Sequence, residues 1–133
     1  MGTAYFIVLE RPIAGLDTSM DGKSLAKEVA DLDWTAKEIG VRPLSEFVSV
    51  DPEMAREFLE GGGVSTSEIP LPDVQHFSPE EGLKSVQALF REIQAWPPGT
   101  KDTAEVLADL RECERILLGA ANNGVRWHFE VDF

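Results

Sequence analysis

The last nine residues alternate without a fault. Val125, Trp127, Phe129, Val131 and Phe133 are apolar, and Arg126, His128, Glu130 and Asp132 between them are polar or charged. A period of two puts successive side chains on opposite faces of an extended chain, so residues 125–133 read as a strand with one apolar and one wet face. Such a strand cannot stand alone, because its backbone N–H and C=O groups need partners. The other clear strand lies at the opposite end of the sequence. Ala4–Leu9 is an apolar, β-branched and aromatic run with no polar break, as in a strand buried on both faces. The two ends are therefore expected to pair in one small sheet.

The chain between them has helical spacing. Residues 23–39 carry apolar side chains at Leu25, Val29, Leu32, Ala36 and Ile39, one stripe of a helix, with Gly40 where a left-handed C-terminal cap belongs. Trp34 falls off that stripe. Asp51, Pro52 and Glu53 open a short helix that ends at Gly61, Gly62 and Gly63. Ser78 and Glu81 form a capping box for a helix running to about Trp96, with Leu83, Val86, Leu89, Phe90 and Ile93 turned inward. A box of the same kind, Asp102 to Glu105, opens the last helix. Its stripe is Val106, Leu110, Cys113, Leu117 and Ala120, widened by Leu107 and Leu118, and Gly124 follows its end. Residues 44–50 carry both the spacing of a helical turn and the β-branched content of a strand. Residues 61–77 read as a long, mobile loop, a kind that is uncommon inside compact domains and often functional.

These elements predict an α+β fold: a small sheet pairing the N- and C-terminal strands, with about four helices packed mainly on one face. Strands are too few for a doubly wound sheet. At 133 residues the chain is expected to be a single globular domain, 1–133.

Function is bounded more by exclusion. Cys113 is the single cysteine, so no intrachain disulfide can form. The start of the chain has no basic region before a long apolar run, and no stretch reaches the roughly 20 apolar residues of a membrane helix. A cytoplasmic protein is expected. The net charge is −12, and residues 28–81 hold thirteen acidic side chains against Lys37, Arg42 and Arg56. Such a field disfavours nucleic acid and anionic membranes and attracts basic partners.

Five groups of residues bear on chemistry or binding. Asp17, Ser19, Asp21 and Glu28, with Gly22 and the Lys23 carbonyl, have the spacing of an EF-hand calcium loop over 12 residues. Pro12 and Gly15 forbid the preceding helix, and no second loop pairs with it, so helix capping explains the same residues. His128 and Glu130 share a strand face and, with His76, could supply the polar groups of a pocket or a zinc ligand set, although no H-E-x-x-H and no third histidine is present. Cys113, on an apolar stripe, reads as a buried thiol. Gly61, Gly62 and Gly63 lack the lysine of a phosphate loop. Trp34, Trp96 and Trp127 either cover the core or serve as binding anchors.

The leading expectation is a non-enzymatic acidic protein-binding module, immunity- or inhibitor-like, for a basic partner, without a cofactor. The alternative is a small pocket enzyme or ligand-binding domain on the polar face of the C-terminal strand, using His76, His128 and Glu130. A second alternative is weak divalent-cation binding at residues 17–28.

Overall fold

The computed structural model describes residues 3–49, 74–95 and 103–132. The helix expected from Asp51, the three consecutive glycines, most of the 61–77 loop, Trp96 and Asp102 lie outside the described residues. The element order is β1 (Ala4–Leu9), α1 (Lys23–Lys27), α2 (Val29–Ile39), a 3-10 turn (Leu44–Phe47), α3 (Pro79–Ala95), α4 (Thr103–Asn123) and β2 (Trp127–Asp132).

The chain ends pair as their patterns require. β1 and β2 are antiparallel, in register from Ala4 opposite Asp132 to Leu9 opposite Trp127. Residues opposite one another share a face. Tyr5 and Ile7 therefore join Phe129 and Trp127 on the core side, all four buried. The indole of Trp127 is the centre of an aromatic cluster, stacked on Phe47 at 5.0 Å and set edge-on to Phe129 at 4.8 Å. Its Nε1 donates to the Ser78 carbonyl at 3.0 Å. A methyl group at Gly82, inside α3, would lie 2.3 Å from the indole. That close approach accounts for a glycine in a helix interior, where it costs up to about 1 kcal/mol against alanine.

β2 is flanked on its second edge too. Phe77 and Trp127 exchange both backbone hydrogen bonds, and the Ser49 N–H donates to the Phe129 carbonyl. Gln75 N–H donates to Ser49 Oγ at 2.9 Å, joining the two pieces of this broken edge. Residues 44–49 thus satisfy both halves of the mixed pattern: a 3-10 turn, then an extended bridge at Val48.

The helices follow their stripes with two departures. Residues 23–39 form two helices rather than one, broken at Glu28 with φ −102° and ψ 14°. Amide bonding continues through the break, since Glu28 N–H donates to Ser24 and its carbonyl accepts from Leu32. The carboxylate of Asp109 is buried and accepts the Leu25 N–H at 3.3 Å, tying the first turn of α1 to α4. In α4 the expected stripe is buried in full, but Ile116 widens it, while Leu118 stands 44% exposed. Gly40 takes the left-handed cap conformation at φ 80°. Ser78 Oγ accepts the Glu81 N–H, one half of the expected capping box, and the Glu81 carboxylate lies 3.4 Å from Arg42.

Candidate functional site

Where α2 crosses the ends of α3 and α4 there is a groove of about 390 Å³. Its floor is Leu32, Ile93 and Val106, each nearly buried. Its walls carry Glu28, Asp31 and Glu38 from the α1–α2 break and α2, and Glu92 from α3. Among the described residues lining it there is no lysine or arginine. Trp34 stands at the rim, 66% exposed. The local sequence explains the arrangement. Asp31, Trp34, Thr35 and Glu38 sit three and four residues apart, one face of α2. The apolar stripe Leu32, Ala36 and Ile39 lies beside it and meets α3. The spacing was visible in the sequence. That Glu92 would join it from another helix was not.

On the opposite face of β2 the structure brings His76, His128 and Glu130 together. The two imidazole centroids are 5.3 Å apart at 55°. His128 Nε2 lies 2.8 Å from Glu130 Oε2. One expectation needs correction. The alternation predicts His128 in an exposed row on a wet strand face, whereas it is 1% exposed. The alternation located its face correctly, but His76 stands over that face beside Phe77, which pairs with Trp127. The wet face is thus dry at its middle and polar toward its ends. Arg126 remains exposed there and forms a two-pronged ion pair with Glu10, at 2.6 and 3.1 Å. That guanidinium holds the Glu10 carboxyl down to about 2. None of the three described grooves is lined by either histidine.

The loop at residues 17–28 is organised by its own amides. Asp17 accepts the Ser19 N–H at 2.9 Å, and Asp21 accepts the Lys23 N–H at 3.2 Å. The Ser19 amide holds the Asp17 carboxyl below its ordinary range. Arg115 donates to the carbonyls of Asp17 and Ser19, at 2.6 and 3.4 Å, so a guanidinium already sits on the loop oxygens. Gly22 is required by packing: its carbonyl accepts the Tyr5 N–H, its φ is +68°, and a side chain there would run into the Tyr5 carbonyl. Among the described residues no three His, Cys, Asp or Glu side chains converge as a metal site.

Two further groups complete the inventory. Cys113 is wholly buried, and burial pushes its thiol far above the ordinary value. That leaves almost no thiolate for chemistry. Asp109 is raised as well, chiefly by burial and in spite of the backbone N–H groups it accepts. Sequence reasoning passed over it, although its place among Val106, Leu110 and Cys113 puts a charge on a buried stripe. Among the described residues no helix is long and apolar enough to cross a membrane. No family model, curated protein or solved structure matches the chain, so the chemistry of these sites rests on their geometry.

Proposed function

We propose that the protein is a binding module whose acidic groove receives a basic segment of a partner protein, with Trp34 as the anchor. The observation that carries this is the coincidence of four carboxylates, an apolar floor and a 66%-exposed tryptophan in one concavity. An exposed large aromatic is the residue type most enriched at the energetic centre of protein interfaces. Carboxylates around it draw a Lys- or Arg-bearing partner and reject an acidic one. At about 390 Å³ the groove is near the small end of ligand pockets, suited to one apolar side chain of the partner flanked by its cations. A protein of the immunity or inhibitor type would use its surface in this way.

The test is calorimetric titration of the full chain with an amphipathic Lys/Arg peptide carrying one aromatic residue, and with its Glu-substituted counterpart. Only the basic peptide is expected to bind. Trp34→Ala and the charge reversal Glu38→Lys should each weaken it at least about tenfold, the usual scale of an interface hot spot. Melting temperatures should stay unchanged, because both side chains are exposed. Equal affinity for wild type and both variants would assign the binding to the general −12 charge and remove the groove from the argument.

A further inference from the structure

The described residues contain two buried side-chain nitrogen or oxygen atoms without a hydrogen-bond partner in the protein, and both are histidine Nδ1 atoms: those of His76 and His128. Their rings are neighbours, 5.3 Å apart. The chain has two histidines in all. Buried polar atoms are nearly always paired, and each exception needs a cause, such as a bound ion or water. Two exceptions on adjacent imidazoles share one cause more readily than two.

Glu130 supplies the second half of the pattern. Its Oε2 lies 2.8 Å from His128 Nε2. A carboxylate there accepts the Nε2–H, which keeps the proton of the neutral imidazole on Nε2 and leaves Nδ1 with a bare lone pair. This is how metal-ligating histidines are held: one nitrogen on a carboxylate or carbonyl, the other on the metal. His128, 1% exposed, sits on β2, which is flanked by chain on both edges. His76 is placed by the paired Phe77 next to it. Backbone hydrogen bonds thus hold the chain that carries both rings.

We infer that His76 and His128 bind one borderline divalent transition-metal ion, of the zinc class, through their Nδ1 atoms, with Glu130 holding His128 in the ligating tautomer. Imidazole nitrogen suits zinc and its neighbours, whereas calcium and magnesium select oxygen. No third His, Cys, Asp or Glu among the described residues joins the pair. Two protein ligands are one fewer than in an open zinc site, so the remaining coordination positions belong to water. The inference uses no residue of the acidic groove and stands apart from it.

The experiment uses the untagged full chain, freed of metal with a chelator and labelled with ¹⁵N, and zinc chloride as the probe. One equivalent of zinc should shift the Nδ1 resonances of both imidazoles and raise the melting temperature by several degrees, and calcium should do neither. The metal-free spectrum should show the His128 proton on Nε2. His76→Gln, at the less buried of the two positions, should keep the fold and weaken zinc binding at least about tenfold, as a lost ligand must. Glu130→Gln, which removes a supporting partner, should weaken it by about tenfold. Should His128→Gln fail to fold, His76→Gln carries the comparison. Imidazole spectra that ignore zinc would overturn the inference and leave water as the partner of both nitrogens. A zinc response that survives intact in His76→Gln would overturn it too, by placing the ion among the 24 carboxylates.

Discussion

Asp109 is the residue that most departs from its sequence context. It occupies a position of the buried stripe of α4, where an apolar side chain would fit the pattern, and it serves α1 instead by accepting the Leu25 N–H. Removing the acceptor in Asp109→Ala leaves that amide unpaired in the interior, at a cost of about 1–3 kcal/mol. Asp109→Asn keeps an oxygen acceptor and should cost less at neutral pH. The pH dependence has a definite sign. Burial raises the carboxyl above 3.8, so the native state holds its proton to higher pH than the unfolded chain. Its contribution to stability is full below the ordinary value and is lost as pH rises through the raised one. Asp109→Asn, which cannot ionise, should therefore gain on wild type across that window. Denaturant unfolding of the three proteins, below and well above the ordinary carboxylate range, checks both statements. A gap between wild type and Asn variant that stays constant with pH would mean that the carboxylate is not desolvated.

At the scale of elements, α4 shows how far periodicity reaches. The spacing of Val106, Leu110, Cys113, Leu117 and Ala120 predicts a core stripe, and all five are buried. Leu118, which the spacing adds to them, is exposed, because it sits one residue past Leu117, about 100° around the helix, and among the described residues no element covers that side. Leu110→Ala or Leu117→Ala should cost about 2–5 kcal/mol through lost transfer energy and a residual cavity. Cys113→Ala should cost less, since fewer atoms leave, and the native thiol should resist alkylation. Chemical denaturation ranks the three variants, and rapid labelling of Cys113 in the folded protein would contradict its burial. The break at Glu28 shows the opposite case. Spacing through residues 23–39 is continuous, so one helix is the natural reading. Glu28 nevertheless leaves helical geometry, at φ −102° and ψ 14°, and the apolar spacing carries no mark of it.

For the whole molecule the acidic field acts in two directions. A charge of −12 on a chain of this size repels itself when folded, so screening should stabilise it. The same field draws basic partners, so screening should weaken binding at the groove. Raising salt from about 20 mM to about 500 mM shortens the Debye length from about 20 Å to about 4 Å. The melting temperature is expected to rise over that range while affinity for the basic peptide falls. Thermal melts and titrations on the same samples measure both. Affinity that is insensitive to salt would remove the carboxylates from the recognition and leave Trp34 and the apolar floor.

Local order determined what the sequence could show. The strict alternation of the last strand, the apolar run of the first and the helical stripes between them each arise from the period of one element, and a period is complete within a few turns or pleats. They were enough to place the ends of the chain in one sheet, to assign most of the core and to put Asp31, Trp34 and Glu38 on one helix. The tertiary structure alone decided which side chains meet across elements. Glu92 reaches the acidic face of α2 because α3 packs beside it. His128 is buried on a strand face that alternation marks as wet because chain from residues 74–77 returns along the second edge of β2 and sets His76 over it. Alternation specifies which way a side chain points. What lies at the end of that direction depends on how a distant part of the chain packs.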